Sequence, residues 1–373
     1  MSFESLRAAL PAGDTLERLH ADMERARLVP TWKYVADFVS REPLVSYRPW
    51  LWKWDAVLHH LLRAGELITP ERGAERRSME HTNPDLRSGF STSHTLATAV
   101  QLVKAGERAP AHRHMAAAIR FAARSEGGDV FTTVEGEPLR MLQNDLLLTP
   151  SGTWHEHVNS TGHDIVWLDA LDFPLVNLLQ ASWFEPGEPG VAAPREEGYS
   201  QTMLGAMRPT DWLPYPDHHP VVRYPWNEMR AALERLRGAP GSPFDDILLA
   251  YVNPRNGGPT LPTIGCHAQL LRPGKATQAH RQMCSTVYYV IEGAGHSVIE
   301  GQRFDWAEGD VFVVPNWRWH EHASAMGRDA ILFSVSDEPV MRALGMYREQ
   351  AFAGPSGRQE ITAVFDPVLK GMP

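Results

Sequence analysis

The sequence predicts a mainly β protein made of two copies of one antiparallel strand unit behind an N-terminal helical arm, and three observations carry that reading. From about residue 92 the chain turns to short β-branched and apolar runs punctuated by Gly, Pro and Asn, the texture of many short strands. The series Val134-Glu-Gly136, Asp145, Pro150 and Trp154-His-Glu-His157 returns as Ile299-Glu-Gly301, Asp310, Pro315 and Trp319-His-Glu-His322, every member 165 positions on. Ahead of both copies, apolar residues stand at helical spacing: Leu16, Leu19 and Met23 within 14–28, then Leu51, Trp54, Val57, Leu58 and Leu61 within 50–64.

Taken in order, residues 1–91 read as the helical arm, with a Pro- and Trp-rich connector from Pro30 to Pro49. Residues 92–172 form the first strand unit and 261–338 the second. Gly106 followed after five residues by His112 is answered by Gly274 and His280, and Glu126-Gly127 by Glu292-Gly293. Between the units, 173–260 is a linker containing a helix predicted over Trp226 to Arg237, and 339–373 is a C-terminal tail. At roughly 100 to 200 residues per domain, a chain of 373 residues has ample material for two such cores.

Composition narrows the function classes. Lys plus Arg (36) against Asp plus Glu (45) leaves a net charge of −9, which offers no basic footprint for nucleic acid or an anionic membrane. The first twenty residues interrupt their apolar positions with charges, unlike a signal peptide, and no run approaches the ~18 apolar residues of a membrane span. Cys266 and Cys284, the only cysteines, lack metal or redox spacing and read as small core residues. A cytoplasmic protein is expected.

The 17 histidines hold the chemistry. His112 and His114 stand at i and i+2, which on a strand puts both imidazoles on one face. His155 closes a second apolar run, Leu146 to Pro150, and so brings a third nitrogen from another strand. Three such nitrogens are a standard way to hold one metal, and Zn, Fe, Ni and Cu all suit the set. In the second unit His280 and His320 survive while Gln282 replaces the middle histidine, and a structural barrel with leftover polar residues is the plain reading. His59-His60 and His218-His219 are adjacent pairs whose side chains diverge, read as surface or loop residues.

Gly106 with His112-x-His114, then Pro150-Ser-Gly152-Thr-Trp-His155 with Asn159, resemble the two motifs of the cupin superfamily, with Asn144 where the second motif opens on Gly. Cupins are small antiparallel β-barrels, so the resemblance implies a bicupin, two double-stranded β-helix domains, with the ligands inside the first barrel. Many cupins add a Glu four or five residues after the second His, where this chain has Ala118 and Ile119. Three neutral imidazoles leave the metal its full charge and open positions, which suits an anionic chelating substrate plus a small molecule such as dioxygen. A manganese site of the oxalate-degrading kind fits less well.

Further stretches resemble the gentisate 1,2-dioxygenase family, which includes salicylate and 1-hydroxy-2-naphthoate dioxygenases: Pro49-Trp-Leu-Trp-Lys-Trp54, Glu75-Arg-Arg77 with Asn83-Pro84, Ala109-Pro-Ala-His-Arg-His114 with Arg120-Phe121, Val166-Trp-Leu-Asp-Ala-Leu-Asp-Phe-Pro174, Pro262-Thr-Ile-Gly265, Phe312-Val-Val-Pro315 and Leu332-Phe-Ser-Val-Ser-Asp337. The likeness covers nearly the whole chain. It implies one Fe(II) per chain on His112, His114 and His155, extradiol-type opening of an ortho-hydroxy aromatic acid by O2 between the carboxyl- and hydroxyl-bearing carbons, and a homo-oligomer, commonly a tetramer. It gives His157 a proton-transfer role, and places Arg120, Gln101, Arg77 and Asp169 at or behind the substrate, Asp169 equally well as a structural hydrogen-bond partner. Arg120 lies six residues past His114, ~20 Å along an extended strand, so it reaches the site only if the wall curves; otherwise it snorkels at the rim.

One segment departs from the family. Leu96-Ala97-Thr98-Ala99-Val100-Gln101 stands where relatives carry a large aromatic and a Gly, so Ala97 opens space in the pocket and Ala99 closes a little. The expected ring carries something bulkier than the 5-hydroxyl of gentisate: a 5-substituted salicylate such as 5-nitrosalicylate, or a fused second ring. A different metal-dependent bicupin, such as a decarboxylase or isomerase, and a non-enzymatic ligand-binding bicupin are the alternatives. Trp50, Trp52 and Trp54 serve either assembly or packing on the first barrel.

Overall fold

The computed structural model describes residues 13, 15–35, 39–69, 77–87, 89–125, 128, 130–188, 190–204, 209–210, 212 and 223–367. Residues 1–12, Glu75, Arg76, Glu126, Gly127, His218 and His219, invoked above, lie outside them. The chain separates into two units, Met1–Val45 and Ser46–Pro373. In the first, α1 (Leu16–Arg25) starts where the Thr15 hydroxyl accepts the Arg18 N–H at 3.2 Å, an N-cap that satisfies one of the free donors of the first turn. It is shorter than the predicted 14–28, and none of its residues is buried.

The second unit opens with β1 (Trp50–Trp52), α2 (Trp54–Leu67) and β2 (Ser78–Glu80). The first barrel follows as β3 (Ala97–Val103), β4 (Arg108–His114), β5 (Ala118–Arg124), β6 (Val130–Val134), β7 (Glu137–Arg140), β8 (Leu146–Thr149), β9 (His155–Asn159) and β10 (Ile165–Leu171). The connecting segment carries α3 (Phe173–Leu178), β11 (Phe184–Pro186), α4 (Tyr199–Leu204), β12 (Arg223–Tyr224), α5 (Trp226–Leu236) and β13 (Ile247–Tyr251). The second barrel is β14 (Gly265–Leu271), β15 (His280–Gln282), β16 (Thr286–Glu292), β17 (Ala294–Ile299), β18 (Gln302–Ala307), β19 (Val311–Val314), β20 (His320–Ser324) and β21 (Ala330–Ser336), trailed by α6 (Glu338–Ala343), β22 (Glu349–Ala351) and β23 (Ala363–Val364).

Each barrel is a pair of facing sheets. The first sets a six-stranded sheet, β12-β8-β5-β10-β3-β2, against a five-stranded one, β11-β4-β9-β6-β7; the second sets β1-β19-β16-β21-β14-β13 against β22-β15-β20-β17-β18-β23. β9 alternates, with His155, His157 and Asn159 inside, whereas β8 is buried on both faces: Leu147 joins the barrel core, and Leu146 and Leu148 lie opposite Phe121 and Ile119, on the face that meets the second barrel. Val103, Leu139, Met141 and Trp167 fill one end of the first barrel, and Leu51, Tyr288, Phe304 and Phe312 the second. The barrels meet back to back through Phe121, which stacks on Phe333 with ring centres 4.3 Å apart. Cys266 and Cys284 are buried, unbridged core residues.

Residues 50–91 depart from the expected helical arm. β1 pairs with β19 in the second barrel, Trp50 opposite Val313, and β2 pairs with β3 in the first, Ser78 opposite Gln101. The backbone of Trp50 and Trp52 therefore joins the second barrel, where Trp50 meets Phe365 edge-on, while the Trp52 ring reaches His81 beside β3 and the Trp54 ring lies under Arg124 of β5 in the first. The reciprocal strap is β12–α5: β12 pairs with β8 in the first barrel and α5 packs along the second, close to the predicted helix span. His59 and His60 lie exposed on α2.

Candidate metal centre and substrate cavity

β4 and β9 are hydrogen-bonded neighbours with His112 opposite His155, and a bulge between Ala109 and His112 breaks the register beside them. A bulge turns side chains out of strict alternation, and here it lets His112 and His114 converge on His155. The nearest ligand nitrogens of the three all lie within 4.8 Å of one another, the one such group of three among the described residues. Each Nδ1 lies against a main-chain carbonyl: His112 on Pro110 at 2.9 Å, His114 on Ala116 at 2.7 Å and His155 on Thr153 at 3.0 Å. A carbonyl only accepts, so each Nδ1 carries the proton and each Nε2 presents its lone pair to the interior.

That arrangement fits a divalent cation. Among the described residues the buried His155 Nε2 has no hydrogen-bond partner, an orphaned acceptor in need of an electrophile. Burial, reinforced by Arg120 and the two neighbouring histidines, holds the His155 proton affinity well below that of free imidazole. Neutral rings are what a metal requires.

A cavity of about 430 Å³ opens over the histidines, walled on the far side by the six-stranded sheet. Arg120, Asp169 and Gln101 project into it from β5, β10 and β3. The strand-length objection to Arg120 disappears because the chain turns at residues 115–117 and β5 belongs to the facing sheet, so six residues cross the barrel instead of running along it. Arg120 is buried, donates from Nη1 to Thr149 Oγ1 at 2.9 Å, and its Nε lies 3.2 Å from Asp169 Oδ1. That contact is an ion pair too bent to be a hydrogen bond, which leaves both atoms with bonding capacity. Asp169 also accepts from Trp167 Nε1 at 2.8 Å; burial raises its proton affinity and Arg120 works against the rise.

His157 is buried beside the triad. Its Nδ1 meets Thr132 Oγ1 at 2.9 Å, and because the Thr132 hydroxyl donates to Met141 Sδ, the imidazole supplies the proton in that bond. Its Nε2 is then the basic atom, on a ring that lines the cavity. Burial, with the Arg120 charge next, keeps His157 neutral.

Two expected substrate positions lie elsewhere. Arg77 is absent from the cavity wall: its guanidinium is spent on Glu107, with two contacts of 2.9 Å, and on the Ile68 carbonyl at 2.8 Å, so it ties β2 to the β3–β4 turn. Ala97 is buried on the same face of β3, opposite the cavity residue Leu171, without itself lining the cavity, whereas Ala99 and Gln101 do. Sequence reasoning missed Glu80, Phe90, Phe173, Trp183 and Phe184, all on the wall or mouth. Phe184 stacks on His112 at 5.4 Å, and no motif marks a rim residue whose place is set by a strand added far downstream.

The equivalent point of the second barrel is closed. His280 and His320 pair across β15 and β20, but His280 Nδ1 bonds Glu349 at 2.9 Å and Phe244 stacks flat on its ring.

Fold and site together define a bicupin with a three-histidine group suited to a metal in its first barrel. Cupin_2, the cupin domain family, matches residues 99–171 and 268–336. Over 353 residues the chain is 64% identical to a 5-aminosalicylate 1,2-dioxygenase of Comamonas sp., covering 94% of each, and it is 36% identical to gentisate 1,2 dioxygenase 1 of Aquipseudomonas alcaligenes over 89% of this chain and 95% of that protein. A salicylate 1,2-dioxygenase structure from Pseudoaminobacter salicylatoxidans with gentisate adducts superposes with a TM-score of 0.82 at 33% identity, covering 94% of this chain and 98% of that one. The chain belongs to the gentisate and salicylate 1,2-dioxygenase family of ring-cleaving enzymes that use O2.

Proposed function

We propose that the metal is Fe(II) and that the enzyme opens a 5-substituted salicylate, with 5-aminosalicylate foremost, between the carboxyl- and hydroxyl-bearing carbons in the extradiol manner. The observation that carries this is the convergence of three imidazoles, without a carboxylate, opposite a buried arginine across a cavity. His112, His114 and His155 would hold the iron, which supplies a meeting place for an ortho-hydroxy acid and dioxygen and accepts and returns electrons. Arg120 offers the substrate carboxylate a charge-assisted donor, Gln101 an amide, and His157 Nε2 a base within the cavity for the phenolic proton. Phe90, Leu171, Phe173 and Phe184 give the cavity an apolar lining for the ring. The 64% identical relative favours the amino substituent over the nitro group expected from sequence. By family resemblance the enzyme assembles as a homo-oligomer, a tetramer, in the cytoplasm; no helix among the described residues is long and apolar enough to cross a membrane.

The test is anaerobic loading with Fe(II), then oxygen uptake and ultraviolet spectra with salicylate, gentisate, 5-amino- and 5-nitrosalicylate and 1-hydroxy-2-naphthoate. Uptake with a 5-substituted salicylate is expected, and His112→Ala should abolish both iron retention and uptake. A clear preference for gentisate, or turnover without oxygen consumption, overturns the reading.

A further inference from the structure

Glu80 is a charged residue of the cavity wall that the ring-opening chemistry does not use. It lies at the end of edge strand β2, opposite Ala99; Ala99 lies opposite Asp169, and Asp169 opposite Arg120. Cross-strand partners project from the same face, so Glu80, Ala99, Asp169 and Arg120 form one row across the sheet, and all four line the cavity. Strands lie ~4.8 Å apart, which places the Glu80 backbone roughly 14 Å from that of Arg120, with the methyl group of Ala99 leaving the near half of the row low.

Asp169 is neutralised within this row by Arg120, but Glu80 is not. Among the described residues Glu80 forms no ion pair, and its buried Oε2 has no hydrogen-bond partner. Burial and the Asp169 carboxylate beyond Ala99 raise its proton affinity to about 7, as expected of a carboxyl group leaning over Ala99 into the cavity. A half-desolvated carboxylate is costly in any pocket and doubly so in one that receives anions. Its presence makes sense if the bound ring brings a donor to it.

We propose that Glu80 is a specificity residue that accepts a hydrogen bond from an N–H donor on the substrate ring, at the position across from the hydroxyl group, and so selects an amino-substituted hydroxy acid over rings bearing hydrogen, halogen or nitro there. The inference rests on the ring-cleaving reading above. With the substrate carboxylate toward Arg120 and the metal, a single ring laid along the row passes over Ala99 and ends at Glu80. An amino group satisfies the carboxylate; a nitro group meets it with like partial charge; a hydrogen atom leaves it bare.

The experiment compares kcat/KM for salicylate, 5-aminosalicylate and 5-nitrosalicylate in the Fe(II)-loaded wild type, Glu80→Gln and Glu80→Ala, with iron content and anaerobic binding of each acid followed by tryptophan fluorescence. Loss of a hydrogen bond to a charged group predicts a ~10- to 100-fold fall in the 5-aminosalicylate to salicylate ratio, mostly in KM, at unchanged iron content. A ratio equal to that of the wild type in both variants, or equal losses for both acids, overturns the proposal while leaving the dioxygenase reading intact. A wild type that consumes no oxygen with any of the acids overturns the underlying reading, and this inference with it.

Discussion

Arg120 and Asp169 are almost fully buried, cross-strand partners, and each is the other's compensation for lost water. Burial lowers the arginine's hold on its proton and raises that of the aspartate, and their mutual attraction opposes both shifts. Breaking such a pair from one side leaves a bare buried charge at a cost of ~3–5 kcal/mol. Arg120→Met and Asp169→Asn should therefore each lower stability in urea, and the double variant should lose less than their sum by ~1–3 kcal/mol. Activity separates the roles that sequence left open for Asp169. Arg120→Met removes the carboxylate's donor and should depress kcat/KM by ~10- to 100-fold even well below the melting temperature. Asp169→Asn keeps an acceptor for Trp167 Nε1, so a structural Asp169 predicts a lower melting temperature with kcat/KM close to the wild type. Equal collapse of kcat/KM in both variants would assign Asp169 to the substrate instead.

At the scale of elements, the two straps bind the barrels together by the same device. Asp145 accepts the Trp226 N–H at 2.8 Å and pairs with Arg223; Asp310, its repeat partner, accepts the Trp54 N–H at 2.8 Å and pairs with Lys53. In each case a buried carboxylate in the β-turn before β8 or β19 caps the helix of a strap that arrives from elsewhere in the chain, and it gains from the helix dipole as well as from the cation. Asp145→Ala and Asp310→Ala should each cost about 2–4 kcal/mol in urea unfolding, the sum of a lost cap and a lost partly buried ion pair, while iron binding stays intact in Asp310→Ala, whose carboxylate serves the barrel without the metal. The repeat itself was legible in sequence because the same side chains do the same work twice: Asp145 and Asp310 cap, and Thr132 and Ser297 hold His157 and His322 at 2.9 and 2.7 Å. The straps were illegible. β1 has three residues and β12 two, too short to show alternation, and their partners are set by topology, so Trp50-Leu-Trp52 read as the start of a helix. The histidine triad was readable because His-x-His on a strand fixes a face and the cupin-like motifs add His155, whereas Arg120 and Glu80 owe their positions to a turn and an added edge strand that no local pattern encodes.

For the whole molecule, the question is why two barrels of one design bring three histidines together in the first alone among the described residues. The second barrel keeps His280, His320 and His322, all buried, and burial first, then neighbouring imidazoles, holds His320 and His322 neutral, the latter down to about 3. Three rings remain, yet they do not make a site. Gln282 stands in the place of the second ligand, His322 is tied to Ser297 as His157 is to Thr132, and His280 turns Nδ1 to Glu349 while Phe244 covers its face. A metal there would have two imidazoles and an amide, a set that lacks the third strong nitrogen for a first-row divalent ion. Strand β22 edges β15 much as β11 edges β4, so the barrels differ in the side chains delivered there: β22 sets Glu349 on His280, where β11 sets Phe184 against His112. The second barrel then serves as the platform on which β1 is laid and against which Phe121 packs, a scaffold for the active one. Three consequences are measurable by metal analysis after loading and desalting. The wild type should retain one iron per chain; His155→Ala should retain none; and His280→Ala with His320→Ala should still retain one and keep oxygen uptake per iron unchanged, with any loss confined to the melting temperature. Two irons per chain in the wild type, or loss of iron in the His280 and His320 double variant, would show that the second barrel binds metal and that its rings are ligands in place of packing.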